Sequence, residues 1–506
     1  MRLYIPIERP RFGTAAYFLA LLPFVVLAIH QWGFLPTMTD GDYAQYILHA
    51  KALVEGRGYT DTGYIFTPFT FLVGPPAQPP GLPLLLAPVV ALFGTNLILL
   101  KSVVVLSAVA YSLIAANYFG RRESVWVGAT VALVTSLALQ TQNATISVIA
   151  DLPFSAACWW LITVADRRGA WTGYRAAVVT LLGGVAVAFR IAGAAAGLAV
   201  LLFALLRPPA QRRAASLPLV LWFSGGVTAV MLFGHLIPFS KQLLQLPHAN
   251  LAARALSFAR EGKEAVLHSL LYPFGSDSAN DVYHGIFLIP LLIGGVRFLV
   301  RYRRTFAWCF LLAYAFVLAV SPVQEARYIW PLYPILAYAL VSGLITLIQA
   351  ALRVTSRDDR APVIAFILIA VLGISSTMYA FRQPPPPSFL EHPDVQSLFA
   401  WLREDNRRSP DRVVFVNPRV LTLSTDVPAM APIYARSERV LSELESRRIT
   451  AVIVGDLGLG EAPDRVMRDL IREMPARFES VYINPSFRVF RFLPTRGATL
   501  APAARQ

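Results

Sequence analysis

The chain has 506 residues, of which 56% are hydrophobic and 15% charged. Soluble domains carry about 25% charged residues, so these proportions exclude an ordinary soluble protein and indicate a polytopic membrane protein. The net charge of +15 therefore marks cytoplasmic loops rather than nucleic-acid binding, and the two cysteines, Cys158 and Cys309, both within apolar runs, exclude a disulfide framework or a thiolate metal site.

Arg2, Arg9 and Arg11 precede an apolar run over residues 14–34 that ends in His30-Gln31-Trp32-Gly33 rather than a small-residue cleavage site. It reads as a retained signal anchor with the N-terminus inside. A long outer loop follows, to about residue 96. It opens on Thr39-Asp40-Gly41-Asp42-Tyr43-Ala44-Gln45-Tyr46, two carboxylates two residues apart just beyond the apolar slab. A helical pattern over 47–56 stops at glycine, and Asp42 is a natural N-cap for it. Capping and solvating a turn is thus one reading of Asp40 and Asp42. The apolar run over 82–93 is about a dozen residues long, which suits an interfacial or re-entrant helix.

With that run not crossing, spans follow over 97–119, 125–139, 152–165, 174–189, 191–206, 217–238, 283–300, 306–320, 329–350 and 362–381. The basic loops at Arg121-Arg122, Arg167-Arg168, Arg207 to Arg213, Arg301 to Arg304, and Arg353 to Arg360 then all fall inside, as the positive-inside rule requires. A full crossing at 82–93 would put them all outside. The expectation is about eleven transmembrane helices with a large first outer loop, the N-terminus cytoplasmic and the C-terminus extracytoplasmic, in the inner (cytoplasmic) membrane. Pro384 to Pro387 mark a linker. Beyond it, strands are expected over 412–417, 450–455 and 487–492, and amphipathic helices over 395–404, 437–447 and 464–473. The fold class expected is an all-α polytopic membrane domain, residues 1–383, plus a small soluble α/β domain, residues 388–506. The glycine-rich stretch 455–460 lacks a nucleotide-binding spacing and reads as a strand-to-helix turn.

This topology brings Asp42 (with Asp40), Asp151, Arg190, and Glu325 with Arg327 to the outer face. Ionisable groups at membrane depth cost a few kcal/mol unless paired or used. Each alone could be a snorkelling or loop residue, but Arg190 interrupts a nearly continuous apolar stretch. Guanidinium groups bind phosphate in a bidentate way, and a carboxylate can take the proton of an attacking hydroxyl. A lipid-linked phosphosugar presents its phosphate at that depth. His235, His248, His268 and His284 surround the 239–282 loop. No cofactor is certain; a divalent metal ion shared by Asp42 and one of these histidines is left open, although no ligand spacing supports it.

These residues resemble the GT-C superfamily of integral-membrane glycosyltransferases, in the branch of mannosyltransferase-like and aminoarabinose-transferase-like enzymes. The resemblance lies in Asp42-Tyr43-Ala44-Gln45-Tyr46 followed by Ala50-Lys51-Ala52-Leu53-Val54-Glu55-Gly56-Arg57-Gly58-Tyr59, then Pro79-Pro80-Gly81-Leu82-Pro83, Asp151-Leu152-Pro153-Phe154, Phe189-Arg190, and Arg327-Tyr328 with Pro331 and Pro334. It covers about residues 10–385. It implies an inverting transfer from a polyprenyl-phosphate sugar to a glycan, lipid or protein acceptor, with a first-loop aspartate as general base. That role falls on Asp42, with Asp40 the alternative because the family's Asp-Glu pair appears here as Asp40-Gly41-Asp42. Asp151, Arg190, Arg327, Tyr328, Tyr43 and Tyr46 are the residues expected to bind donor phosphate and substrate. Ala77 and Gln78 stand where some relatives carry Glu-Lys, so contacts from that segment do not carry over. The rival reading is a transporter or lipid flippase without glycosyl transfer, a class that places ionisable groups near mid-membrane.

Overall fold

A computed structural model of the chain describes residues 13–36, 41–70, 76–167, 172–206, 256, 260, 280–321, 325–352, 360–382, 388–409, 411–455 and 464–494. These group into two compact units. The first holds the apolar helices. They are α1 (Gly13–His30), α3 (Gly81–Phe93), α4 (Leu97–Gly120), α5 (Val125–Leu137), α6 (Leu139–Ala144), α7 (Asp151–Ala165), α8 (Gly173–Phe189), α9 (Ala195–Leu205), α10 (Asn280–Arg301), α11 (Phe306–Val320), α12 (Tyr333–Leu352) and α13 (Arg360–Arg382). The second unit joins the loop 35–78 to the segment from 386 onward, and α2 (Asp42–Val54) belongs to it.

In the first unit, apolar side chains such as Leu19, Leu92, Leu106, Ile289 and Val371 are 57–76% exposed. Leucine and valine turned outward in such numbers suit hydrocarbon rather than water. Backbone groups at helix starts must then be satisfied internally. Asn96 accepts from the Ile98 and Leu99 amides at 3.0 and 3.3 Å, and Ser124, Thr172 and Thr305 cap α5, α8 and α11 in the same way. Helices α10 and α12 pack most closely through two glycines. A Cβ on Gly294 would strike the Ala339 carbonyl, and one on Gly343 the Pro290 carbonyl. Small residues let the two backbones touch where no hydrophobic effect drives association.

Four stretches among the described residues are long and apolar enough to cross a membrane: Ala15–Gly33, Leu97–Gly120, Arg327–Leu352 and Arg360–Arg382. Ile286–Arg301 and Phe306–Val320 pass the same test together across a 117° bend. Others expected as full spans are helices of 10–17 residues, such as Val125–Leu137, Asp151–Ala165 and Gly173–Phe189. At 1.5 Å per residue, 15 residues cover about 22 Å, short of a hydrocarbon core of about 30 Å. Length alone thus does not deliver eleven spans, and the span expected over 217–238 lies outside the described residues. The short helix expected at 82–93 is present as α3.

The second unit contains one six-stranded sheet. Its strands are β1 (Tyr64–Ile65), β2 (Val413–Val414), β3 (Ala429–Met430), β4 (Ala451–Gly455), β5 (Phe478–Ile483) and β6 (Phe487–Phe492), in the order β1-β3-β2-β4-β6-β5. The first four are mutually parallel, and β6 and β5 close the other edge antiparallel. Helices α14 (Pro393–Arg408), α15 (Pro418–Thr425), α16 (Ser437–Ser446) and α17 (Arg465–Glu473) complete it. Val414, Met430, Val440, Leu444, Val452, Met467 and Leu470 form the centre of its core. The three strands and three helices expected here are all present. What differs is membership. The sequence reading kept the first loop with the membrane segment, whereas β1 pairs with β3, so that loop supplies an edge strand of this sheet.

Candidate functional site

Helix α2 carries Asp42, Tyr43 and Tyr46. Gly41 occupies the N-cap without a side-chain cap, and Asp42 is the first helical residue. The expected N-cap is therefore shifted by one. Asp42 still stands in the first turn, where unpaired amides favour a negative charge. Gly41 leaves room for Asn417, whose Oδ1 would lie 3.1 Å from an added Cβ. Tyr43 and Tyr46 are 1% and 5% exposed, packed inside the unit. Asp40 lies outside the described residues.

The partner of Asp42 comes from far along the chain. Arg419, on α15, donates from Nη1 to Asp42 Oδ1 at 3.0 Å, and its guanidinium lies 5.0 Å from the centre of the Tyr64 ring. The Arg419 side chain is 3% exposed and that of Asp42 31%. Sequence reading missed this arginine. The available signal was its place just past the C-terminal end of β2, where open parallel sheets gather functional side chains.

About two turns further along α2, His49 is locked. Its Nδ1 lies 2.7 Å from the Tyr59 carbonyl, and its Nε2 lies 3.2 Å from the Gln78 amide. A carbonyl can only accept and an amide can only donate, so Nδ1 carries the proton and Nε2 accepts. Gln45 also reaches Nε2 at 3.0 Å, and the Tyr59 ring stacks on the imidazole with centroids 4.3 Å apart. Burial pushes the His49 pKa down to about 4. The ring is a neutral clasp that ties α2 to residues 59 and 78.

The remaining expected residues lie in the first unit and come together there. Asp151 is the first residue of α7. Arg190 adopts extended backbone (φ −151°, ψ 138°) between α8 and a 3-10 turn, Ile191–Ala194. Its Nη1 makes a close ion pair with Asp151 Oδ1, and its guanidinium lies 4.4 Å from the Tyr328 ring centre. Tyr328 sits in a second 3-10 segment, Ala326–Leu332, held by Tyr314 Oη donating to the Tyr328 carbonyl at 2.8 Å. Arg327 pairs with Glu325 at 2.5 Å and lies 5.6 Å from the same ring centre. Asp151, Arg190, Glu325, Arg327 and Tyr328 thus form one cluster at the N-terminal end of α7. Its arginines are 19% and 25% exposed. Aromatic faces and a carboxylate orient two guanidinium groups that retain an accessible side, an arrangement suited to a phosphate.

Among the described residues no group of three or more His, Cys, Asp or Glu could hold a metal ion. His235, His248 and His268 lie outside them, as does the side chain of His284. Asp42 meets the Arg419 guanidinium, which cannot itself ligate a cation.

No family model and no curated protein matches the chain. Solved structures do. ArnT from Cupriavidus metallidurans bound to undecaprenyl phosphate matches with a TM-score of 0.56 at 14% identity, over 98% of this chain and 100% of that one. The archaeal oligosaccharyltransferase AglB from Archaeoglobus fulgidus, in complex with an inhibitory peptide and a dolichol-phosphate, matches at 0.53 and 15% identity, over 88% of this chain and 69% of that one. The A. fulgidus oligosaccharyltransferase in complex with Zn and sulfate matches at 0.53 and 13% identity, over 87% and 68%.

Proposed function

We propose, from the GT-C-like membrane glycosyltransferase fold that the chain shares with these structures, that it is an inverting glycosyltransferase. It moves a sugar from a polyprenyl-phosphate donor to an acceptor at the outer face of the cytoplasmic membrane. The observation that carries the reading is the end-to-end likeness to a protein bound to undecaprenyl phosphate. The paired, partly exposed arginines at the end of α7 supply the matching chemistry.

In this reading Arg190 and Arg327 hold the donor phosphate, and Asp151 with the Tyr328 ring fixes the Arg190 guanidinium. The acceptor hydroxyl attacks the anomeric carbon from the face opposite the phosphate. A new glycosidic C–O bond forms while the C–O bond to phosphate breaks, and the electron pair leaves with the polyprenyl phosphate. The hydroxyl proton passes to the Asp42 carboxylate. A single displacement inverts the anomeric centre. Asp42 is half-exposed and stands at a helix N-terminus, which favours the ionised form that a base must start from.

The test uses the full chain in proteoliposomes with a total membrane extract as acceptor source. The donors are undecaprenyl-phosphate-linked mannose and aminoarabinose, and release of undecaprenyl phosphate is followed. Asp42→Asn is expected to lower turnover by about 10²- to 10⁴-fold, the usual range for a general base. Wild-type rates in both Asp42→Asn and Asp40→Asn would refute the mechanism.

A further inference from the structure

The second unit pins α2 against α15 by two ion pairs of opposite sense. Asp42, at the start of α2, accepts from Arg419, near the start of α15. Lys51, in the last turn of α2, reaches Asp426, the residue that ends α15, at 2.5 Å. Acid faces base at one end and base faces acid at the other, so sliding one helix along the other breaks both pairs. The two pairs are not equivalent. Asp426 is 70% exposed, whereas Arg419 is 3% exposed and lies beside the Tyr64 ring.

We infer that Arg419 is a positioning residue that keeps the Asp42 carboxylate ionised and fixed in orientation. The C-terminal segment is then part of the machinery around Asp42 and not an appendage to it. The mechanistic consequence rests on the reading of Asp42 as the base. A buried guanidinium that loses its counter-charge is costly, so Arg419 opposes premature protonation of Asp42. It sets how far activity extends to low pH. Among the described residues, these titratable and charged groups stand about the pair. Asp42 lies on α2, Arg419 on α15 and the neutral phenol of Tyr64 on β1; burial raises the Tyr64 pKa above the ordinary phenol value. His49, farther along α2, is held neutral by burial, with the Arg419 charge acting in the same direction, and Lys51–Asp426 lies at the opposite end of the helix pair.

The experiment has two readouts on the full chain. The first is infrared difference spectroscopy of the carboxylic-acid carbonyl band, assigned to Asp42 by its loss in Asp42→Asn and followed against pH. The second is the acid limb of donor turnover in the assay above. In Arg419→Gln the band's titration midpoint and the acid limb are expected to move together to higher pH. In Arg419→Lys, which keeps the charge, both are expected to stay near wild type with turnover reduced roughly tenfold because a flexible ammonium does not fix the carboxylate as the planar guanidinium does. Arg419→Met keeps the stem volume and replaces Gln should that variant not fold. A midpoint unmoved in the neutral variants, or moved as far by Lys as by Gln, overturns the inference whatever the activity. A midpoint that moves while the acid limb does not leaves Arg419 in its role and removes Asp42 as the base.

Discussion

The two ends of α7 carry clusters of the same composition but different construction. At the C-terminal end, Asp166 is 4% exposed and accepts from Tyr118 Oη at 2.7 Å and from the amides of Phe306 and Ala307 at 2.6 and 3.1 Å. Beside it, Glu123 takes Arg301 at 2.7 Å and the hydroxyls of Tyr302 and Tyr338 at 3.1 and 2.9 Å. Every carboxylate there is met by donors from other elements, on helix ends and on the short turns that join successive helices. At the N-terminal end, Asp151 is equally buried, but its partner sits on extended backbone between α8 and a 3-10 turn, and Tyr328 sits on a second 3-10 segment. Burial and charge do not separate a joint from a site. Extended and 3-10 backbone within the apolar segments marks the candidate site, because such backbone is tolerated at that depth only where protein or a cavity supports it.

The sharpest way to break this comparison is to remove one residue from each end. Arg190→Ala is expected to lower donor turnover per folded molecule by roughly 10²-fold or more, as loss of an electrostatic clamp does, and, because it strips the buried Asp151 of its counter-charge, to lower the melting temperature in detergent as well. Asp166→Asn replaces an acceptor by a donor facing Tyr118, Phe306 and Ala307. It is expected to cost about 3 kcal/mol of stability, typical of a broken buried network, with turnover per folded molecule retained. Thermal melts and turnover on the same samples decide. A reversed pattern of turnover would mean that extended and 3-10 backbone does not mark the site.

Most of the second unit was legible because its strands and amphipathic helices alternate with the right periods. The membrane segment was legible as apolar runs punctuated by basic loops. Arg190 and Arg327 lie in one cluster with Asp151, whereas the meeting of Arg122 and Arg301 with Asp166 and Glu123 was not foreseen. The misses have a common cause. β1 and β3 are two residues each, too short for periodicity to register. Arg419 acts across 377 residues of sequence from Asp42, and nothing local to either residue encodes the other. Lys101 was hidden in an apolar run, yet it is 1% exposed and its ammonium donates to the carbonyls of Trp32 and Phe34 at 2.7 and 2.6 Å. It closes the end of the first span as a cation should close a helix C-terminus.

His49 extends the comparison to the other unit, as a saturated joint built on a neutral ring. Its folded pKa, about 4, lies below the unfolded value of 6.5. Folding therefore favours the neutral form. Its contribution is complete above about pH 6.5 and is lost as the pH falls from there toward 4. Full loss amounts to about 3 kcal/mol, from about 1.4 kcal/mol per unit. Denaturant unfolding of the full chain between pH 7 and 4 is expected to show this slope and His49→Gln to flatten it. An identical slope in the variant would mean that another group carries it.

The smallest expected effect compares two tyrosines, one at each end of α7. Tyr338 Oη donates to Glu123 at 2.9 Å in a cluster where that carboxylate is 9% exposed. Tyr338→Phe removes one donor and leaves Glu123 with Arg301 and Tyr302, so about 1 kcal/mol of stability is expected to go and turnover to stay. Tyr328 Oη reaches Glu325 only at 3.4 Å, and Glu325 is 43% exposed, so its hydroxyl contributes little. Its ring is what Arg190 lies over, and phenylalanine keeps the ring. Tyr328→Phe is expected to leave both stability and turnover within about twofold of wild type. Tyr328→Leu, which removes the aromatic face, is expected to weaken donor binding severalfold, in line with about 0.5–1 kcal/mol for a partly exposed cation–π contact. Donor KM measured across the Phe and Leu variants separates the hydroxyl from the face. Equal effects of the two would show that the Tyr328 ring contributes nothing to holding Arg190.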